Sequence, residues 1–196
     1  MGILGIIIFV IIILIFQNLL KNNESGFLHL LMAFMFVCWL PIPVVTYIEL
    51  KSYDFLLIGA LLGMVSLIIY IVTMILQAGH LSYSAKISNE DSEFWRKSDE
   101  WMLNGILGGQ VELLAGFLKG IWVIFFTIAF WLDGQILFAF ISIMYSLFAI
   151  IYLLKLLDTS LVRGIKIFKI LPINSLIINL ETSSWFFILL IWLKLK

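Results

Sequence analysis

The sequence predicts an all-α protein: a polytopic transmembrane helical bundle of about six spans. Three observations predict it. Of 196 residues, 63% are hydrophobic and 12% are charged, whereas soluble domains run about 45–50% apolar and about 25% charged. The mean hydropathy is +1.16. Apolar runs of about 20 residues recur along the chain, the length that crosses about 30 Å of hydrocarbon as a helix. These runs lack the period-two alternation of barrel strands. In lipid each backbone polar group must find its partner inside the protein, which leaves helices. The same composition excludes disorder, a disulfide scaffold and an ordinary soluble enzyme. Twelve basic and twelve acidic residues balance, so nothing favours nucleic acid as a partner. The single cysteine, Cys38, has no internal partner and reads as an inert apolar side chain. The partner the composition calls for is the lipid bilayer.

All 196 residues read as one integral membrane domain. The first span covers about residues 3–20. It has neither a basic n-region nor a cleavage motif, so it is expected to be retained. Ile6 also breaks the myristoylation pattern. Residues 21–26 are a polar loop, and 27–48 the second span. Pro41 and Pro43 fall inside that span and predict a kink or an early stop. The third span is 55–77. The polar segment 78–104 holds five of the twelve acidic residues, Glu90, Asp91 and Glu93 among them. Within it Phe94, Trp95, Trp101 and Met102 share a helical face. That face fits either an interfacial amphipathic helix or a lead-in continuous with the fourth span, 106–132. Asp133-Gly134 marks a tight turn, and 135–154 is the fifth span. Residues 155–169 are basic through Arg163, Lys166 and Lys169, suited to anionic head groups. The sixth span, 172–193, begins at a proline; Asn174, Asn179 and Glu181 make it the least apolar.

Six spans put both termini on one side. Lys51, Lys194 and Lys196 lie on that side. Lys21, Lys86, Arg96, Lys97, Lys155, Arg163, Lys166 and Lys169 lie on the other. The positive-inside rule then predicts cytoplasmic loops at 21–26, 78–104 and 155–169, and both termini outside. No organelle signal appears, so a bacterial plasma membrane is the expected location. Trp39, Trp131 and Trp192 fall near the outer boundary, and Trp95 and Trp101 near the inner one, as an aromatic belt would have them.

The fourth span carries the chemistry. Gly105, Gly109, Glu112, Gly116, Lys119 and Gly120 fall within about a 100° arc when wound at about 100° per residue. Small residues four apart let helices approach closely in lipid, so this stripe faces another helix. A charge at mid-membrane costs about 2.5–3.5 kcal/mol on insertion scales and usually faces the bundle interior. The third span has a matching stripe: Gly59, Gly63, Ser66, Tyr70, Thr73, Gln77 and His80. The fifth repeats it weakly with Ser142, Tyr145, Ala149 and Tyr152. Glu181 lies about as deep as Glu112. The expectation is a common interior site of Glu112, Lys119, Glu181, Gln77 and His80, in which two carboxylates and one ammonium hold a proton or cation, or simply neutralise one another. His29 and His80 have no neighbours at metal-ligand spacing, so no metal site and no cofactor is expected.

Hydrolase, zincin, P-loop and dinucleotide motifs are all missing, so an enzyme ranks last. Residues 88–98, Ser-Asn-Glu-Asp-Ser-Glu-Phe-Trp-Arg-Lys-Ser, followed by Gly108-Gly109, locally resemble the serine, acidic, tryptophan and basic stretch before a glycine pair in Sdp-type toxin-immunity membrane proteins. The resemblance covers about a tenth of the chain. Ser82-Tyr83-Ser84-Ala85-Lys86 stands where that family carries arginine-threonine-proline. It implies only an alternative function, immunity. The leading expectation is a small transport or permease component with an intramembrane polar site. The alternative is a non-enzymatic accessory or immunity protein that contacts another membrane protein, or a second copy of itself, through its glycine stripes.

Overall fold

The computed structural model describes residues 1–50, 53–87, 91–161, 163 and 175–196. Lys51, Glu90, Lys166, Lys169, Pro172 and Asn174 lie outside the described residues. Among those described there is no strand. Six helical stretches are long and apolar enough to cross a membrane.

Helix α1 is Gly2–Lys21. It turns back through Asn23, whose φ of 56° is one an asparagine tolerates better than most residues. Helices α2 (Ser25–Trp39) and α3 (Ile42–Glu49) form the second span between them. The break falls at Leu40-Pro41, where proline has no N–H to continue the ladder. Helix α4 is Leu56–Ile87. Helix α5 (Ser92–Glu100) opens with the Asp91 carboxylate accepting the Phe94 N–H at 3.0 Å. It runs without interruption into a π-helical segment, Trp101–Val111, and then into α6, Glu112–Leu132. The lead-in reading of residues 92–104 is therefore the observed one. Gly134, at φ 74°, closes the turn into α7, Ile136–Ser160. Helix α8 is Ser175–Leu195.

Two elements outrun the bilayer. At about 1.5 Å per residue, the 32 residues of α4 span about 48 Å. The stretch from Ser92 to Leu132 is longer still. Most of residues 78–104, expected as a loop, is thus helical, with the end of α4 and α5 packed together as a hairpin. Its polar sequence is held helical by the cap and by Lys97–Glu93 and Arg96–Glu100 pairs one turn apart. It is closed by side chains crossing between α4 and α5: His80 Nε2 lies 3.0 Å from Asp99 Oδ1, and Ser84 donates to Asp99 Oδ2 at 2.9 Å.

Close backbone approach joins α4 to α6 and α6 to α7. A Cβ on Gly63 would sit 2.6 Å from Trp122 Cδ2, and one on Gly59 would sit 2.8 Å from Phe125 Cβ. A Cβ on Gly116 would sit 2.8 Å from Tyr152 Cδ2, and one on Gly120 would meet the backbone of Ala149. Gly105 and Gly109 do not continue this seam. Their nearest neighbours are Trp101 and Asn104 of their own segment. The arc was drawn for α-helical winding, but bonds in this segment run i to i+5, which rotates residues off that face.

Helix α8 is joined differently. Its aromatic rings fill the middle of the bundle. Phe186 stacks on Trp39 of α2 at 4.9 Å, Trp185 packs against Tyr145 of α7 at 5.3 Å, and Trp192 meets Phe130 of α6 at 5.0 Å. All three rings are buried. Trp39 and Trp192 therefore belong to the core rather than to the aromatic belt. Trp131 and Trp101 remain exposed at opposite ends of their span. Trp39 Nε1 donates to the Gly2 carbonyl at 3.3 Å, Trp192 Nε1 to Gln135, and Lys196 Nζ to the Glu49 carbonyl at 2.7 Å. Both termini thus meet the α3 and α6–α7 turns at one end of the bundle.

Candidate functional site

The interior polar site is built from one face each of α4, α6, α7 and α8. Lys119 is 2% exposed and Glu181 is 7% exposed. Lys119 Nζ makes an ion pair with Glu181 Oε2 and donates to Thr182 Oγ1 at 2.7 Å. Tyr152 of α7 donates to the same Glu181 oxygen at 2.8 Å, and its ring lies 5.6 Å from the ammonium. Three helices therefore converge on one neutral pair. A buried ion pair is tolerated when further hydrogen bonds satisfy its remaining valences; Thr182 and Tyr152 supply two of them, while Glu181 Oε1 has no hydrogen-bond partner among the described residues.

Glu112 is the first residue of α6, and its N–H still bonds the Leu107 carbonyl in π register. It is 1% exposed. Gln77 of α4 donates to Glu112 Oε1 at 3.1 Å. One turn along, Ser66 donates to the Ala115 carbonyl at 2.7 Å. Tyr70 is fully buried nearby, within electrostatic reach of both Glu112 and Glu181. Four of the five expected site residues, Gln77, Glu112, Lys119 and Glu181, are brought into one interior as two linked groups. His80 is not among them. It pairs with Asp99 on the projecting hairpin, because α4 carries it beyond the depth of Gln77.

Two crevices flank α1 where it faces α8. One, of about 510 Å³, runs from Leu20 and Ser25 near the α1–α2 turn to Glu112, Asn179 and Ser183. The other, of about 580 Å³, lies toward Ile6 and Trp39 and reaches Glu181, Ser183 and Ser184. Phe9, Leu180 and Ser183 line both. Each crevice thus reaches one of the two carboxylates, and the two share part of their lining.

The sequence did not single out Thr182, Ser183 or Asp99. The run Glu181-Thr182-Ser183-Ser184 was the signal for the first two, since hydroxyls beside an intramembrane carboxylate can complete its hydrogen bonds. Among the described residues no three His, Cys, Asp or Glu side chains come together as a metal site would need. No known protein family, curated protein or solved structure matches the chain.

Proposed function

We propose that the protein is a small membrane transport component that passes a proton or cation through the interior site. The observation that supports this is the pair of crevices meeting at Ser183, with Glu112 on one wall and Glu181 on the other. An intramembrane carboxylate on a crevice wall is the usual mark of an ion or substrate path. The Lys119–Glu181 pair carries no net charge, so Glu112 makes the set of three ionisable groups acidic, which suits a cationic cargo. The bias of basic residues orients the α1–α2 turn and the hairpin toward the cytoplasm of a bacterial plasma membrane, with both termini outside.

The rival reading is an accessory or immunity protein that docks a partner through small-residue stripes. Gly59, Gly63, Gly116 and Gly120 are occupied inside the bundle. That reading is left with Gly105 and Gly109.

The test is flux. Purified protein in vesicles loaded with a pH-sensitive dye is given a membrane potential, with protons and then alkali cations as the probe. The wild type should dissipate the gradient, and Glu112→Gln should fall to the rate of empty vesicles. A wild type no faster than empty vesicles, or a variant as fast as wild type, would refute the reading.

A further inference from the structure

We propose that the groove between the α1–α2 turn and the end of α4 is a binding site for one zwitterionic phospholipid whose head carries a primary amine. The site lies apart from the interior charges and does not depend on the transport reading.

Helix α1 has 20 residues, which at about 1.5 Å each make about 30 Å, the thickness of the hydrocarbon. The α1–α2 turn therefore sits at head-group level. Gly26, just after the turn, is packed on α4: a Cβ there would meet Ser82 Oγ and lie 2.8 Å from the Ala78 carbonyl. Ser82 thus shares that level. The groove, of about 760 Å³, runs along α4 from Lys86 down to Ile75. Eleven residues separate these two, about 16 Å of helix. The head-group layer is only about 5–8 Å deep on each side, so the groove crosses it into hydrocarbon. Its lining changes character along the same axis. Asn22, Asn23, Glu24, Ser82 and Lys86 line the outer part. Phe27 and Leu30, further along α2, and Ile75, deeper on α4, line the inner part and are exposed. A soluble ion would use only the outer part; a lipid, with head and chain, uses both.

Charge selects the head. Among the described lining residues Glu24 is the one acid and Lys86 the one base. Both are exposed, and neither makes an ion pair among the described residues. Glu24 stands at the cap position of α2, yet its side chain makes no cap hydrogen bond. Asn22 is already engaged, donating to Asn18 Oδ1 at 3.3 Å. One cation and one anion complement a phosphate and an ammonium on the same head. A primary ammonium brings three N–H donors to a carboxylate. A trimethylated head brings none, and a head of net negative charge would set an anion against Glu24. Gly79 supports the same reading. It lines the groove, and a Cβ there would meet nothing within 4 Å. Glycine disfavours a helix relative to alanine, and no close packing accounts for it here. What its missing side chain leaves is room on the groove floor.

Native mass spectrometry of the full chain in detergent is the test, with phosphatidylethanolamine, phosphatidylcholine and phosphatidylglycerol of identical acyl chains as probes. The expected result is one phosphatidylethanolamine retained per chain, about three- to fivefold more tightly than either other lipid, the scale of an exposed ion pair. Lys86→Met should weaken that binding by about the same factor. Glu24→Gln should bring phosphatidylethanolamine down to the level of phosphatidylcholine. Gly79→Leu should block retention by filling the groove. Glu24 and Lys86 are exposed, so their variants report on binding even if Gly79→Leu does not fold. Glycerophosphoethanolamine, the head without chains, should not compete. Equal retention of the three lipids, a preference for phosphatidylglycerol, or binding unchanged in Glu24→Gln and Lys86→Met would overturn the proposal. Full competition by the chainless head would overturn it too, by making the groove a site for a soluble phosphate ester.

Discussion

Lys119 has two polar partners, Glu181 and Thr182, and the Tyr152 ring around it, all from other helices. Removing the ammonium would strand Glu181 in the core. Breaking one half of a buried pair costs about 3–5 kcal/mol, whereas replacing both halves with apolar groups of similar size is often neutral. Lys119→Met and Glu181→Gln should therefore each lower stability strongly. The double variant should recover most of the loss, as read by thermal unfolding in nanodiscs, and additive losses would argue against a coupled pair. The presence of these residues inside was legible, because a charge amid 20 apolar residues has nowhere else to go. Their choice of partner was not. Glu112 and Lys119 share a helical face, yet one meets Gln77 of α4 and the other Glu181 of α8. Spacing assigns a face; it does not say which neighbour stands opposite, or how far away. His80 shows the same limit along the axis, since the stripe gave its direction but not Asp99 of α5 as its partner.

At the scale of the element, hydropathy and burial run opposite to each other. Helix α1 is the most apolar span and the least buried, while α8 is the least apolar and half buried. Hydropathy reads how much lipid a helix must face. A central helix is excused from that demand and can carry Glu181, Thr182 and Ser183. This is why the sixth span looked weakest in the sequence although it fills the core. The proline break was legible, since a missing N–H is a local property. The π-helical segment was not, because its winding has no sequence signal in this chain. It divides the glycines into two kinds. Gly120→Ala would push a methyl into the Ala149 backbone, an overpacking change that costs about 1–3 kcal/mol. Gly105→Ala meets only Trp101, at 3.4 Å, and should be neutral or slightly stabilising, since alanine favours helix over glycine by about 1 kcal/mol. Unfolding midpoints of the two variants check this. Equal losses would mean that Gly105 shares the packed seam.

The whole molecule separates a tied end from an open flank. Gly2, Trp39, Gln135, Trp192 and Lys196 knit one end together. The α1–α8 side holds both crevices. The interior charges divide by role, although Glu181 also lines the second crevice on that flank. Lys119 and Glu181 hold three helices together, and Glu112 stands on the wall of the open crevice. That division of labour separates folding from function. Its most direct test compares the thermal midpoints of Glu112→Gln and Lys119→Met in one lipid preparation. The amide keeps the size of Glu112 and an acceptor for Gln77, so Glu112→Gln should unfold within a few degrees of wild type. Lys119→Met should unfold far below it. The opposite order, with Glu112→Gln strongly destabilised and Lys119→Met unaffected, would contradict the account.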